Sequence, residues 1–303
     1  MSAVAIDRVT KSYGAHVAVR DLSLQVPANS IYGFIGPNGS GKTTTLRMIV
    51  RILHPDTGTI RVLGDDSWSS ANDRVGYLPE ERGLYKQMKV RELLRFYAEL
   101  KSYRVTRQEV DSWLGKMGLL DWGDKKVEAL SKGMAQKVQF IATVIARPAL
   151  VLLDEPFSGL DPVNGEVLRE AVLDLKRNGT TVLFSTHDMG TAERMCDFIC
   201  MIYKGDKVLD GTLESIQDSY GSDTLRVRVE GEPIDFARLP GVVKVTDHGR
   251  LQELRIARDA DTQGLLARLM AHGRVSHFEL ARPSLQDIFV RIASPEAEGN
   301  NHA

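Results

Sequence analysis

The sequence GPNGSGKT, at residues 36–43, is the feature that most restricts the folds open to this chain. It matches the pattern G-x-x-x-x-G-K-[ST], follows the continuous apolar run IYGFI and precedes a helical pattern. Glycines in such a loop allow backbone N–H groups to turn toward phosphates, and the helix that follows adds its positive end. A plain glycine-rich turn is the alternative, but the flanking strand and helix favour a phosphate-binding loop.

The residues expected to surround the phosphates of a nucleotide are those of this loop and its first helical turn. They are Gly36, Pro37, Asn38, Gly39, Ser40, Gly41, Lys42, Thr43 and Thr44. Lys42 can reach the β- and γ-phosphates, and the hydroxyl group of Thr43 can bind Mg²⁺. The loop therefore predicts a nucleotide bound together with a magnesium ion.

Polar residues end two later apolar runs. Asp154 and Glu155 follow LVLL at 150–153, and His187 follows TVLFST at 181–186. Because the carboxyl ends of neighbouring parallel strands meet at one edge of a sheet, we expect these side chains beside the same phosphates. Asp154 suits the magnesium shell, Glu155 can polarise an attacking water, and His187 can contact the γ-phosphate. The alternatives are a surface carboxylate pair and an ordinary surface or core histidine.

The alternation of buried apolar runs with amphipathic helical patterns indicates an α/β fold with a parallel core sheet. Residues 1–30 consist of short apolar pieces separated by turn residues, which predicts a small antiparallel sheet. Residues 85–147 are mostly helical by their apolar spacing, as in Val90, Leu93 and Leu94. They predict a helical subdomain inserted into the core.

The character of the sequence changes after residue 220. Alternating strands, a hairpin around His248–Gly249 and two short helices predict a small α+β domain at 220–292, after a first domain at 1–219. The last residues, 293–303, are expected to be disordered. Residues 224–303 hold 11 acidic and 11 basic side chains and the chain has a formal net charge of −1, so we expect no nucleic-acid partner.

Membrane spans and redox sites are not expected. The apolar runs are far shorter than the roughly 20 residues that a span needs, and Asp7 and Arg8 interrupt the N-terminal region where a signal peptide would be apolar. If the protein serves a membrane, we expect it to do so from outside the lipid. Cys196 and Cys200 could form a redox or metal pair, but two thiols near a buried strand are the favoured interpretation.

A phosphate loop with these partners is also typical of kinases, recombinases and many motors. The stretch ALSKGMAQKV, at 129–138, distinguishes among them because it resembles the signature motif of ABC-type ATPases, usually written LSGGQ. Other motifs of that family stand in matching order, namely KSYGAHVA with Tyr13, VGYLPEERGLY, SGLDP and His187. The resemblance covers residues 3–215. It implies a P-loop NTPase cassette of the ABC type that binds ATP with Mg²⁺ and hydrolyses it.

The resemblance also implies roles for particular residues. Tyr13 would stack on the adenine, and Asp161 would lie in the D-loop. In this family two cassettes pair head to tail, so Ser131 and Gly133 of one would contact the γ-phosphate of the ATP held by the other. A chain with two phosphate-binding devices then holds halves of two different sites, and a homodimer in the ATP-bound state completes both.

The sequence departs from the family pattern at two places, in the loop that contains Glu80 and in the signature motif. Glu80 stands where glutamine is usual; a carboxylate can still bind Mg²⁺, but it adds negative charge near the phosphates. Lys132 and Met134 replace the usual glycine and glutamine of the signature, and Met134 cannot complete the capping box of the consensus. Lys132 either attracts the partner's ATP at long range or simply faces solvent.

GYLPEERGLY, LSKGMAQKV and the late PSLQDIFV together resemble the ATPases of sodium, drug and related exporters. In that branch the permease is a separate chain and a small C-terminal domain follows the cassette. The resemblance implies an integral membrane permease as partner and a cytoplasmic location, peripheral on the inner face of the cell membrane. Leu84, Tyr85 and Met88 would offer an apolar surface to a permease helix, or else belong to the core of the helical subdomain.

Two other functions stay open beside the exporter ATPase. A soluble ABC ATPase acting on ribosomes or DNA usually carries two cassettes or a long coiled-coil insertion, and the neutral charge balance lacks the positive surface such partners need. A regulatory module would use the cassette only as a nucleotide switch. The presence of Glu155 and His187 argues for turnover instead.

Overall fold

The computed structural model describes residues 2–65, 73–81, 83–221, 223–231, 233–247, 249–257 and 259–293. The contacts between residues divide the chain into two units, Met1–Thr212 and Leu213–Ala303. The second unit thus begins at Leu213, whereas the sequence suggests a boundary at 219/220. His248 and all but the first residue of the tail expected at 293–303 lie outside the described residues.

The first unit contains the strands β1 (Ser2–Tyr13), β2 (His16–Pro27), β3 (Ile31–Ile35), β4 (Thr57–Val62), β5 (Val75–Leu78), β6 (Leu150–Asp154), β7 (Thr181–Thr186), β8 (Phe198–Tyr203) and β9 (Asp206–Gly211). Its helices are α1 (Lys42–Ile49), α2 (Val90–Glu99), α3 (Arg107–Lys116), α4 (Lys132–Val144), α5 (Pro162–Arg177) and α6 (Met189–Met195). Short 3₁₀ helices occur at Leu120–Trp122 and Val127–Ala129.

Six strands of the first unit form a central sheet in the order β5-β6-β7-β3-β8-β9. The neighbours pair in parallel, except that β9 is antiparallel to β8. Every residue of β3, β6 and β7 is buried, and alternate residues of these strands belong to two separate hydrophobic clusters. Strands that are covered on both faces read as continuous apolar runs. The α/β fold with a parallel core sheet is confirmed.

The register of this sheet places the ends of three strands side by side. Ile35, the last residue of β3, pairs with Thr186 of β7, and Asp154, the last residue of β6, pairs with Ser185 of β7. The phosphate loop follows β3, and Glu155 follows β6. The sheet therefore brings the predicted nucleotide-binding residues to one edge.

The antiparallel sheet predicted for the first 30 residues is also present. β1 lies at its centre, in the order β2-β1-β4, and pairs antiparallel with both neighbours. β4 joins it from outside the predicted range.

The helical subdomain lies between β5 and β6 in the chain and consists of α2, α3, α4 and the two 3₁₀ helices. Val90, Leu93 and Leu94 of α2 are fully buried, as are Val138 and Ile141 of α4. The i, i+3, i+4 spacing thus marks the buried faces of the helices, as the sequence predicts. Across the described ranges, no helix is both long enough and apolar enough to cross a membrane.

The second unit has the α+β composition expected for it. Its elements are α7 (Leu213–Tyr220), β10 (Thr224–Gly231), β11 (Val242–Asp247), β12 (Gln252–Ile256), α8 (Thr262–His272), β13 (Gly273–Ala281) and α9 (Leu285–Ala293), with a 3₁₀ helix at Phe236–Arg238. The antiparallel sheet has the order β11-β12-β10-β13. Leu265 and Leu269 of α8 pack with Leu225, Val227 and Leu254 of the sheet in one hydrophobic cluster.

The two cysteines are free thiols that pack in the first unit. Burial raises the pKa of both thiols, which makes them poor nucleophiles at neutral pH. Cys196 packs against Gly33, where an added Cβ would lie 2.5 Å from its Sγ. Their role is structural packing.

We expect Leu183→Ala to lower the free energy of unfolding of the first unit by about 2–5 kcal/mol, because it leaves a cavity at a fully buried position between β3 and β6. Urea unfolding followed by circular dichroism measures the loss. Val163→Ala, at a position that is 74% exposed, is the control and should stay within about 0.5 kcal/mol of the wild type. Similar losses for the two variants would contradict the burial assignment.

Candidate active site

The phosphate loop has a backbone that requires glycine at two positions. Gly36 has a φ of 149° and Gly41 a φ of 110°. A Cβ on Gly36 would lie 2.2 Å from the carbonyl oxygen of Ile202, and one on Gly41 would lie 2.3 Å from that of Ala18. A Cβ atom at either position would clash with a backbone carbonyl group of a neighbouring segment. The loop can therefore close tightly at the start of α1, where backbone N–H groups point at a bound anion.

Lys42 lies folded over this loop. Its Nζ donates to the carbonyl oxygens of Gly36, at 2.8 Å, and Pro37, at 3.1 Å. The side chain is only 5% exposed, and burial lowers the pKa of its ammonium group, although the charges of Glu155 and Asp154 oppose this shift. A buried cation is thus held within the loop at the place where phosphates would bind.

Asp154 is buried in a hydrogen-bond network that joins α1, β6 and β7. Its Oδ1 accepts from the hydroxyl of Ser185 at 2.5 Å and from that of Thr43 at 3.1 Å. The carboxylate is 1% exposed. Two donors from different elements offset part of the cost of burying its charge. They also fix the carboxylate next to the first helical turn after the phosphate loop.

Glu155 has a strained backbone and a side chain held between two basic groups. Its φ is 48°, a conformation that non-glycine residues rarely adopt. Its N–H donates to Ser185 Oγ at 3.0 Å. One carboxylate oxygen lies 3.7 Å from Lys42 Nζ, and the other lies 3.0 Å from Nδ1 of His187. The structure therefore brings together three of the residues that the sequence predicts to act on the γ-phosphate.

The site also contains polar atoms that fit a metal ion and water. Among the described residues, the buried oxygens without a hydrogen-bond partner include Ser40 Oγ, Asp154 Oδ2 and Glu155 Oε1. The same part of the chain shows no group of three or more His, Cys, Asp or Glu side chains that could hold a metal on their own. Mg²⁺ keeps several waters and uses one or two protein ligands together with phosphates, so this donor set suits Mg²⁺.

Glu80 follows β5 and lies near the same strand ends. It lines a cavity of about 330 Å³ together with Lys132, Gln136, Asp154 and Glu155. Its charge also contributes to the electrostatic environment of Lys42. Glu80 thus faces the same cavity as Asp154 and Glu155, and its side chain is exposed.

The signature residues lie at the start of α4. Ser131 is the N-cap residue, and its Oγ accepts from the N–H of Met134 at 3.3 Å. Gly133 lies in the first turn, where a Cβ would meet Leu160 Cδ2 at an ordinary 3.6 Å. Within the described part of the chain, no contact or backbone angle requires glycine here, although glycine costs a helix about 1 kcal/mol relative to alanine.

Tyr13 and Asp161 occupy defined positions at the ends of elements. Tyr13 ends β1 and is 48% exposed, and Lys11 Nζ lies over its ring, 5.9 Å from the centroid. Asp161 is the N-cap residue of α5 and accepts from the N–H groups of Val163 and Asn164. The backbone N–H of Asn164 is the main reason that the pKa of Asp161 lies below its usual range.

Some polar residues near the site are not identified by sequence reasoning. Ser185 connects Asp154 with the backbone of Glu155, and Gln136 and Lys137 are buried within α4. The only signal for Ser185 is a hydroxyl residue inside the buried run TVLFST. Gln136 and Lys137 have no signal except their proximity to the signature motif.

A phosphate loop at the carboxyl edge of a parallel sheet, with carboxylates and a histidine at the adjoining strand ends, defines a P-loop nucleoside-triphosphatase. The chain belongs to the ATP-binding proteins of ABC transporters. The family model described as ABC transporter matches residues 19–158. Over 289 residues the chain is 41% identical to YhaQ, an uncharacterized ABC transporter ATP-binding protein of Bacillus subtilis (strain 168), covering 95% of this chain and 97% of that protein.

Two further comparisons agree with this assignment. The chain is 34% identical over 307 residues to Nod factor export ATP-binding protein I of Burkholderia orbicola (strain AU 1054), covering 98% of this chain and all of that protein. A solved structure of the ATP-binding subunit of an ABC transporter matches with a TM-score of 0.67 and 30% identity, over 73% of this chain and 94% of that chain. The protein is an ATP-binding subunit of an ABC transporter and an ATPase.

The second unit also matches a family model. The model described as ATP-binding protein DrrA1-3-like, C-terminal domain, matches residues 211–293. Its start lies close to Leu213, where the contacts begin the second unit. The resemblance to the ABC family, stated from the motifs, is thus confirmed for the cassette and extended to the C-terminal domain.

We expect Ser185→Ala to lower the free energy of unfolding by about 1–3 kcal/mol, since it leaves the buried N–H of Glu155 without its acceptor and removes a donor from Asp154. Chemical denaturation measures the loss. Ser276→Ala is the control, because that hydroxyl is exposed and makes only a long 3.5 Å contact with the carbonyl oxygen of Arg228. Equal and small losses for the two variants would show that the Ser185 network is not stabilising.

Proposed function

We propose that the chain is the ATP-hydrolysing subunit of an exporter, in which two copies pair head to tail around ATP and Mg²⁺ and drive a separate membrane permease. The observation that carries the catalytic part is the position of Glu155 between Lys42 and His187. The direction of transport is supported by relatives, one of which is an ATP-binding protein of Nod factor export. The other parts of the proposal rest on the geometry of the signature residues and of a surface groove.

The phosphate loop and the strand ends would bind ATP with Mg²⁺. The bonds of Lys42 to two loop carbonyls can be exchanged for bonds to the β- and γ-phosphates. Thr43 and Asp154 are the proposed magnesium ligands, and Glu80 is a further candidate. A bound magnesium ion supplies positive charge that stabilises the phosphates. Gly39 and the remaining loop residues contribute their backbone N–H groups, and Tyr13 stacks on the adenine.

Glu155 is the proposed general base. Its carboxylate is nearly buried, and the basic groups of Lys42 and His187 keep it at the phosphate edge of the sheet. A carboxylate in this place can orient and polarise a water molecule for attack on the γ-phosphate. Because Nδ1 of His187 faces Glu155, its Nε2 is the ring nitrogen available for the γ-phosphate. His187 is therefore proposed as the residue that connects the base with the phosphate.

The pairing of two copies is supported by the signature residues. Gly133 has no steric reason to be glycine within the described part of its own chain, so close approach of a group from outside is the simplest explanation. The Oγ of Ser131 accepts from Met134, which leaves its hydroxyl proton to be donated to a phosphate oxygen. Asp161 would belong to the same interface through the D-loop.

Lys132 stays a separate prediction. Its ammonium group lies near the D-loop, since a Cβ added to Gly159 would be 3.7 Å from Lys132 Nζ. If Lys132 attracts the partner's ATP at long range, Lys132→Gly should weaken the salt dependence of ATP-induced dimerisation, because screening acts on charged pairs. Analytical ultracentrifugation at several salt concentrations measures this dependence. An unchanged dependence would leave Lys132 as a solvent-facing residue.

We expect Glu155→Gln to bind ATP, to form dimers and to hydrolyse ATP at least about 100-fold more slowly, because the amide cannot act as a base. Phosphate release measures turnover, and sedimentation in ATP measures dimerisation. Glu128→Gln, an exposed residue near α4, is the matched control and should keep the wild-type rate. Full hydrolysis by Glu155→Gln would remove the catalytic assignment, and failure to dimerise in ATP would remove the head-to-tail pair.

A groove beside the helical subdomain is the proposed docking surface of the permease. A cavity of about 550 Å³ is lined by residues of α1, β5, α2 and α4 and includes Ile52, Leu84, Tyr97 and Leu100. Ile52 and Leu100 are large apolar side chains that are 60% and 59% exposed. An apolar face of a permease helix would cover them. The chain would thereby be held at the inner, cytoplasmic face of the cell membrane.

Leu84, Tyr85 and Met88, which the sequence analysis predicts for this surface, lie in different surroundings. Leu84 lines the cavity. Tyr85 is 56% exposed, but its ring packs edge-on against Phe96 at 5.5 Å. Met88 packs against the core of the helical subdomain. Leu84 packs against the same cluster as Met88 but also lines the cavity, so it is the strongest of the three for permease contact, and Met88 fits the alternative of subdomain core.

We expect Leu100→Glu to reduce co-purification with the permease at least about 10-fold, because it places a charge in an apolar interface. The ATPase rate of the free chain should stay unchanged, since Leu100 is remote in sequence from the phosphate loop and exposed. Leu120→Glu, at an apolar position that is 47% exposed outside the groove, is the control. Equal retention of the permease by both variants would place docking elsewhere.

Action on ribosomes or DNA is not favoured as an alternative. The relatives that cover nearly the whole chain are ATP-binding proteins of transporters. A purely regulatory module is disfavoured by the same comparisons, since the family hydrolyses ATP in transport.

A further inference from the structure

Gln136 is buried in the second turn of α4 and bonds to the loop that follows Glu155. Its side chain is 4% exposed. Its Nε2 donates to the carbonyl oxygen of Pro156 and, at 3.4 Å, to that of Ser158. Pro156 is the residue directly after Glu155. A single amide therefore fastens the segment next to the proposed base to the helix that begins at Ser131.

Lys137 makes a second connection, between α4 and the start of α5. Its Nζ donates to the carbonyl oxygen of Met117 at 2.7 Å and to Oδ1 of Asn164 at 2.8 Å. The side-chain amide of Asn164 donates in turn to Asp161. Burial lowers the pKa of Lys137, and the negative charge of Asp161 opposes this shift. The D-loop aspartate is thus linked to α4 through one intermediate side chain.

Apolar contacts hold the segment between these two connections. Phe157 packs edge-on against Phe184 of β7 with 5.7 Å between ring centroids. Leu160 lies against Gly133 in the first turn of α4. The segment 155–161, which we call the catalytic loop, is therefore packed between β7 and α4, with polar bonds to α4 on both sides of Phe157.

The amide group of Gln136 allows it to hold the backbone next to Glu155 in a fixed position. A buried amide that donates to two backbone carbonyls gives a directional link, whereas an apolar side chain of similar size would fill the space without fixing the carbonyls. The link joins the helix that carries Ser131 to the backbone next to Glu155, whose φ of 48° already makes its position depend on its surroundings. A small displacement of α4 would consequently move Glu155.

We propose that Gln136, supported by Lys137, is a positioning residue that couples the two ATP sites of the dimer. When Ser131 of one chain contacts the ATP held by its partner, α4 shifts, and Gln136 carries the shift to Glu155 of the same chain, which serves that chain's own ATP. This inference rests on the head-to-tail pair in the proposed function. It adds the physical link through which occupancy of one site adjusts the base in the other.

Gln136→Met tests the link in the full-length chain. Methionine has nearly the same length as glutamine but has no N–H group to donate to the two carbonyl oxygens. We expect kcat to fall about 10-fold or more, since small misplacements of a catalytic group are costly. KM for ATP should change less than about 2-fold, because the Gln136 amide donates to Pro156 and Ser158, which follow Glu155 in the chain. Val144→Ala, at a buried position two turns further along α4, is the control for general damage to the helix and should keep the wild-type kcat.

Mixed dimers of two differently tagged chains separate positioning from general damage. In the first arm, Gln136→Met shares a chain with intact Glu155 while the partner carries Glu155→Gln, so the only working base belongs to the altered chain. In the second arm, Gln136→Met and Glu155→Gln share one chain, and the working base belongs to the unaltered partner. We expect the fall in rate in the first arm only, since the altered link acts on Glu155 of its own chain.

Each outcome supports or contradicts the positioning role of Gln136. Equal falls in both arms, or an equal fall for Val144→Ala, would overturn the proposal, because they indicate damage to the signature contact or to the helix. A wild-type kcat for Gln136→Met would overturn it as well. If Glu155→Gln fails to dimerise in ATP, the head-to-tail pair fails and the coupling between sites fails with it. The kcat and KM of Gln136→Met alone would then still accept or reject its role in placing Glu155.

Discussion

The geometry of the site depends on the hydroxyl group of Ser185. It donates to Asp154 and accepts from the N–H of Glu155, so it fixes two consecutive acidic residues against the neighbouring strand. A carboxylate that is 1% exposed carries a desolvation penalty of several kcal/mol unless donors surround it. The parallel register of β6 and β7 supplies this donor, and Thr43 supplies another from α1. Sheet and phosphate loop are thereby joined through one carboxylate.

The strained backbone of Glu155 follows from this arrangement. Asp154 must end β6 in register with Ser185, while the next side chain must reach both Lys42 and His187. A φ of 48° turns the chain sharply enough to meet both demands. Such a conformation costs of order 1–3 kcal/mol and persists only where the surroundings hold it. The bond from Gln136 to Pro156 and the packing of the catalytic loop on β7 are the contacts that hold it here.

Site residues that belong to a motif or end a strand can be predicted from the sequence. Site residues that bond to distant parts of the chain cannot. Asp154 and His187 each follow an apolar run, and parallel pairing brings such ends together without further information. Lys42 is predicted from the phosphate-loop motif that follows a third run. Gln136 and Lys137 bond to residues 20 or more positions away, and helical periodicity gives them no special status.

Gly133 supports the proposal that two copies of the chain form the functional unit. A helix loses about 1 kcal/mol by having glycine in place of alanine, and the described contacts of this chain gain nothing from the missing Cβ. The Ser131 hydroxyl beside it retains a proton with which it can donate. A symmetric pair uses both features twice, since each chain offers its signature to the other. In such a pair, the proposed role of Gln136 is to link the signature contact with one ATP to the base that acts on the other ATP. In the proposed pair, the helix that contacts the ATP of the partner chain also holds the proposed base for its own ATP, so the two sites would not turn over independently.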